Sequence, residues 1–315
     1  MTEKNLRDLL VIDAFTDVPF GGNPAGVLLE AGDLKDEQMQ AIAREVNASE
    51  TVFICGGVYP GPFTVRYFTP TEEVPLCGHA TIAAFHALVE EGMIPSLEGE
   101  MVVHLDAKAG LLQIRLKVEN GKLERVMMGQ QPPQYEPFRL DLDTLAAALG
   151  ADLEQLKKAD EEIGPPLIVS TGCRCLHVAM PNLATVTSAR PDFRALAELS
   201  RELNVITVQI MTLDTGSEKT YVHVRTFAPA VGVDEDPVTG TAAGSLGGYL
   251  AYINDLPGEG DRRRFLIEQG AEVGRPGQVE IELQLIGHSV SEVWVGGNAV
   301  RSFKGKITLP RCTVQ

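Results

Sequence analysis

A degenerate internal repeat constrains this chain more than any other feature. The segment Arg66-Tyr-Phe-Thr-Pro-Thr-Glu-Glu-Val-Pro-Leu-Cys-Gly-His-Ala-Thr81 returns as Arg225-Thr-Phe-Ala-Pro-Ala-Val-Gly-Val-Asp-Glu-Asp-Pro-Val-Thr-Gly-Thr-Ala242. Each copy opens with Arg-x-Phe-x-Pro, alternates like a strand, and reaches a glycine that opens an Ala-rich apolar run, Ala80 to Val89 and Ala242 to Ile253. The pattern predicts strand, turn and helix N-terminus twice over, and therefore two similar halves. The first N–H groups and the positive dipole end of each helix would follow Gly78 and Gly240, which suits an anionic group such as a substrate carboxylate. A pair of helix starts facing one cleft is the simplest arrangement, and a duplication with no shared site is the alternative. The side chains at the two starts favour the former. Cys77 and His79 stand in one copy, Asp236 and Thr241 in the other, all able to move protons or donate hydrogen bonds.

At 315 residues the chain can bury one large core or two ordinary ones, and the repeat favours two. A formal net charge of −16 argues against nucleic acid or an anionic membrane surface as partner. The one basic run, Arg262 to Arg264, reads as a solvated loop face. Five cysteines without a regular framework suit free thiols in a reducing compartment. The N-terminal Met1-Thr-Glu-Lys-Asn-Leu-Arg7 leads into no export-length apolar region, and no apolar stretch approaches a membrane span, so a cytoplasmic protein is expected.

Leu9 to Phe15 reads as a first strand feeding the glycine-rich loop Phe20 to Gly26, where Asn23 could present its amide to a substrate or simply fill a turn. Strand resumes at Val27 to Leu29, Asp33 is expected to cap a helix carrying Met39, Ile42 and Val46, and Ser49 to Ile54 is a further strand. Glu50 stands at its threshold. Pointing inward, its carboxyl would be raised by burial, as a general acid or base near neutral pH requires. Aligning Val46–Ile54 with Leu203–Met211 places Thr207 opposite Glu50, so the acid occurs in one half only. Strands joined by turns follow from Met101 to Met128, and Gln130 to Pro137 is the candidate linker. It divides an N-terminal lobe, 1–130, from a C-terminal lobe, 131–302. Cys173, Cys175 and His177 alternate on one strand face, but their spacing is unlike that of known zinc sites and packed thiols are preferred to a metal. The closing region reads as a hairpin, Glu292 to Val300, and a last strand, Lys304 to Leu309.

Taken together, Asp13-Ala-Phe15, Phe20-Gly-Gly-Asn-Pro-Ala-Gly26, Ser49-Glu-Thr-Val-Phe53, Glu73-Val-Pro-Leu-Cys-Gly-His-Ala-Thr81, Glu235-Asp-Pro-Val-Thr-Gly-Thr-Ala242 and Gln269-Gly with Gly274-Arg-Pro276 resemble the phenazine-biosynthesis PhzF-like family of isomerases. The resemblance implies an α+β chain of diaminopimelate-epimerase-like fold, with two pseudo-symmetric lobes. Each lobe would be a mostly antiparallel sheet wrapped around a central helix, with the site between them. It implies that the segment 303–315 returns to the first lobe, and that the protein is a homodimer. Matched residue by residue, it makes Glu50 the catalytic acid/base, His79 and Asp236 its catalytic partners, and Thr241 a substrate-binding hydroxyl; Asn23 and the helix starts at Gly78 and Gly240 remain substrate-binding candidates from the reading of the residues themselves. No cofactor and no metal are expected. The reaction would shift a proton and a double bond on a small carboxylate. A Cys77-assisted racemase and a catalytically silent binding protein on the same scaffold are the alternatives.

Overall fold

In the computed structural model, which describes residues 6–310, the chain divides into two compact units. One runs to Gly129 and takes in the segment from Gly296 onward; the other spans Gln130–Val295. The N-terminal residues 1–5 and the final 311–315 of the expected returning segment lie outside the described residues.

The first unit contains β1 (Leu6–Ala14), β2 (Asn23–Leu28), α1 (Asp36–Val46), β3 (Glu50–Gly56), β4 (Phe63–Phe68), β5 (Glu73–Val74), α2 (Gly78–Glu90), β6 (Gly99–Ala107), β7 (Gly110–Glu119) and β8 (Lys122–Gln130). Its pairings are antiparallel except for β2 with β3 and β4 with β6. Helix α2 is the centre of this unit, packed against β1, β2 and β3. Eleven of its 13 residues are buried, so an Ala-rich sequence without a polar face is what the position demands. The β7–β8 turn uses Asn120 and Gly121, both at positive φ, the mirror-image turn that Asn-Gly favours.

The second unit contains β9 (Gln134–Pro137), α3 (Leu142–Leu149), α4 (Leu153–Glu162), β10 (Leu167–Ser170), β11 (Arg174–Ala179), α5 (Leu183–Ser188), α6 (Phe193–Glu202), β12 (Thr207–Thr212), β13 (Val222–Ala228), β14 (Val233–Asp236), α7 (Gly240–Tyr252), β15 (Arg262–Gln269) and β16 (Gly277–Ile286). Its central helix is α7, packed against β10, β11 and β16, with 10 of its 13 residues buried. The strand β17 (Ser289–Gly297) leads to β18 (Ala299–Thr308), which pairs antiparallel along β1. Among the described residues no helix is long and apolar enough to cross a membrane.

Registers match between the units. Ala25 pairs with Glu50 where β2 runs parallel to β3, and Cys175 pairs with Thr207 where β11 runs parallel to β12. Phe53 faces Arg66 across β3 and β4, as Ile210 faces Arg225 across β12 and β13. The two motif arginines make equivalent ion pairs, since Arg66 Nε lies 2.8 Å from Glu73 Oε1 and Arg225 Nε lies 2.8 Å from Glu235 Oε1.

Five local expectations are corrected. Asp33 does not cap α1 but pairs with Arg7 at 2.7 Å, and the N-cap is Lys35, whose N–H donates to Gln38 Oε1 at 3.1 Å. Asn23 is not in a loop but begins β2. The ladder to β3 starts at Ala25, so the N–H that Pro24 lacks falls at a strand start, where proline is tolerated. Part of the expected linker is β9, an exposed strand along β10. The basic run opens β15, where Arg262 and Arg264 reach diagonally to Glu282 and Glu280 on β16. Residues 299–308 form one strand against β1 in place of a hairpin arm and a separate strand.

Candidate active site

Two strand starts and one helix start of the first unit bring five of its polar side chains together. Glu50 is the first residue of β3 and Cys77 the N-cap of α2, with His79 in that helix's first turn. His79 Nε2 lies 3.3 Å from Glu50 Oε2 and 3.2 Å from Ser49 Oγ, while its Nδ1 lies 3.4 Å from Cys77 Sγ. Ser49 Oγ is also 3.4 Å from Asn23 Oδ1 and 3.4 Å from the Pro24 carbonyl oxygen, so its single proton has several possible acceptors. Asn23 is fully buried at the start of β2.

The side chain of Glu50 retains 21% exposure and that of His79 8%, so the carboxyl is reachable from solvent but poorly hydrated. Burial raises the Glu50 carboxyl above its ordinary range, against hydrogen bonds from Ser49 and Cys77 that pull it down. A carboxyl raised by burial and set beside an imidazole is placed to exchange a proton with a substrate. The first intrahelical bond of α2 is donated by Thr81 N to Cys77 O at 3.0 Å, which leaves the N–H groups of Gly78, His79 and Ala80 outside the helical ladder.

The second unit builds its equivalent helix start differently. Thr239, the N-cap of α7, turns its hydroxyl to Asp236 Oδ2 at 2.5 Å. Gln269 fixes this corner: its Oε1 accepts from Thr239 N at 3.0 Å and its Nε2 donates to Asp236 O at 2.8 Å. Gln130 Nε2 donates to Gly240 O at 3.3 Å, and Thr171 Oγ1 donates to Gln130 Oε1 at 2.6 Å. Thr241 hydrogen-bonds to Cys173, whose thiol burial pushes up to about 11. Asn23 and Cys173 thus stand at matching places, each two residues before the parallel pair of its own unit. Next along β11, burial pushes Cys175 up to about 12, and His177 is satisfied by Ser245 Oγ at 2.9 Å and stacked on Tyr249.

Glu50, His79 and Asn23 therefore form one cluster with Cys77, while Asp236, Gly240 and Thr241 surround the start of α7 in the other unit. Sequence reasoning gave no role to Ser49, Thr239, Gln130 or Thr171. For Gln269 the Gln-Gly motif was a signal, though it says nothing of the corner the amide holds.

A family model, the phenazine biosynthesis-like protein PhzC-PhzF, matches residues 12–305. An uncharacterized isomerase of Bacillus subtilis is 37% identical over 296 residues, covering 94% of this chain and 96% of the relative. The trans-2,3-dihydro-3-hydroxyanthranilate isomerase of Pseudomonas aeruginosa is 33% identical over 300 residues, covering 95% and 99%. Among solved structures, a PhzF-family phenazine biosynthesis protein of Bacillus anthracis matches with a TM-score of 0.86 at 31% identity, covering 96% of this chain and 99% of the other. At the level of fold alone, a hydroxyproline epimerase of Agrobacterium vitis follows at a TM-score of 0.63 and 15% identity.

Proposed function

We propose a reaction for this chain on the ground that it belongs to the phenazine biosynthesis-like family and is an isomerase. Its substrate is a small carboxylate, the class to which the substrate named for the Pseudomonas relative belongs. Glu50 removes a proton from a carbon next to an activating group and returns it elsewhere on the substrate, so that a double bond moves and no cofactor is needed. The observation that carries this reading is the raised Glu50 carboxyl within 3.3 Å of His79. His79 orients the carboxyl and passes the proton onward. The N–H groups at the start of α2, at Gly78 and His79, hold a substrate carboxylate, an interaction that strengthens as negative charge develops. Asn23, through Ser49, supports the same cluster. Asp236 orients the substrate or passes the proton onward, and Gly240 and Thr241 bind substrate, roles supported by the match of these residues to the family motif.

The test is Glu50→Gln, which keeps the shape and removes the base. Turnover of candidate carboxylates in deuterated water, followed by NMR, should fall by about 10²–10⁴-fold or more. Circular dichroism and ligand affinity should stay close to wild type. Substantial turnover by that variant would remove Glu50 from the role.

A second reading keeps a specific observation in its favour: Cys77 Sγ lies 3.4 Å from His79 Nδ1, so a thiol could serve as the proton carrier in a racemase-like reaction. In D₂O such a reaction exchanges deuterium at one stereocentre without migration of a double bond.

A further inference from the structure

We propose that Glu50, Cys77 and His79 also form a binding site for a thiophilic divalent cation such as Zn²⁺, and that its occupancy blocks the enzyme by sequestering the base. This rests on the role given to Glu50 above. One ligand atom from each of the three residues lies within 4.8 Å of the others, and among the described residues this is the only such group.

The geometry suits the ion. Tetrahedral zinc, with Zn–S of about 2.3 Å and Zn–N or Zn–O of about 2.0 Å, sets its ligand atoms roughly 3.3–3.6 Å apart. His79 Nε2 is 3.3 Å from Glu50 Oε2 and 3.9 Å from Cys77 Sγ, and the third pair lies within 4.8 Å, so closing the set around one centre needs side-chain rotations and no change of backbone. Three protein ligands leave a fourth position for water, as in open zinc sites.

The chemistry agrees with the geometry. One thiolate, one imidazole and one carboxylate form a borderline-soft donor set that selects zinc, cadmium or cobalt over magnesium or calcium. Two anionic ligands offset the ion's charge. Cys77 is the N-cap of α2 and is buried, and the metal itself supplies the charge that makes a coordinating thiol give up its proton. On binding, the thiol proton and any proton on Glu50 leave to solvent. The 21% exposure of the Glu50 side chain gives an aqueous ion a way in.

The test is a Co²⁺ titration of the full chain without substrate, read by absorption. The expected result is one bound Co²⁺ with a thiolate-to-cobalt charge-transfer band in the near ultraviolet. Cys77→Ser should remove that band and weaken binding by more than about tenfold, the loss that even an outer-shell change costs. Glu50→Gln and His79→Gln should weaken binding comparably, and Zn²⁺ should displace the cobalt and inhibit turnover until a chelator is added. Absence of the band in wild type, or its survival in Cys77→Ser, overturns the proposal. If Cys77→Ser fails to fold, unweakened cobalt binding in the near-isosteric Glu50→Gln overturns it equally. The titration needs no turnover, so a negative result leaves the proton-transfer reading intact, and that reading stands or falls on Glu50→Gln activity alone.

Discussion

At the scale of single residues, the two helix starts show one backbone design carrying different chemistry. Glu50 and Thr207 open matching strands, and Cys77 and Thr239 cap matching helices, yet only the first unit gathers acid, imidazole and thiol within reach of one another. If Glu50 is the working base, Cys77→Ala should lower turnover by less than about tenfold, far short of the loss expected for Glu50→Gln. Equal losses in the two variants would transfer the reaction to the thiol. A different residue governs stability against pH. His223 is buried on β13, its Nδ1 2.9 Å from Glu268 Oε1 and its Nε2 2.9 Å from Glu272 Oε1. Burial pulls its pKa down, but the two carboxylates outweigh burial and the net direction is up. Burial likewise opposes ionisation of Glu272, whose net direction is down because His223 bonds to its charged form. A histidine raised in the folded state stabilises fully below its unfolded value of about 6.5 and loses that contribution as pH rises through the folded value. The lowered Glu272 contributes above its unfolded value of about 4.3 and loses its effect as pH falls. The melting temperature should therefore fall as pH rises from about 6 through the folded His223 value, and His223→Gln should flatten that slope. An identical slope in wild type and variant would show that other groups set it.

At the scale of elements, the central helices explain themselves by what surrounds them. Helix α7 carries glycines that a helix in water would not favour, and their reason is close approach. A Cβ on Gly248 would stand 2.7 Å from Pro133 Cβ and 3.1 Å from Val169 Cγ1, against a rigid ring. A Cβ on Gly247 would have as its nearest neighbours the methyl ends of Ile281 and Leu283, at 3.0 Å. Alanine gains roughly 1 kcal/mol in helix propensity at both sites, while overpacking costs about 1–3 kcal/mol. Gly248→Ala should thus lower the urea midpoint, and Gly247→Ala should change it less. A stabilised Gly248→Ala would mean that propensity, not packing, decides at this helix.

At the scale of the whole chain, the first unit is completed by a strand from the far end of the sequence. Strand β9, which follows β8, pairs with β10, and β18, which follows β17, pairs with β1. The N-terminal unit is therefore incomplete until the last strand has been made, and α2 packs on β18 as well as on β1. A chain ended after Asn298 should lose near-ultraviolet circular dichroism and bind hydrophobic dyes, because Leu10 and Ile12, fully buried on β1, lose a neighbouring strand. A truncated chain that melts like wild type would show that β18 is an accessory strand.

The sequence by itself determined the duplication, the type of most elements, the two Ala-rich helices and the unmatched acid. All of these are written in local periodicity and in the comparison of one half with the other. It could not determine what depends on which side chains meet. Asp33 has the chemistry of a cap, yet it pairs with Arg7, 26 residues away. The run Arg262 to Arg264 looks like a solvated loop until Glu280 and Glu282 stand diagonally across from it. Gln134–Pro137, set between Pro132-Pro133 and its own closing proline, becomes a strand only because the edge of β10 is there to pair with. The contacts of Ser49 with His79 and with Asn23, and the Gln269 bonds that fix Thr239 and Asp236, are likewise tertiary. A hydrogen bond or ion pair between distant residues follows from the packing that brings them to about 3 Å, and no spacing along the chain encodes that distance.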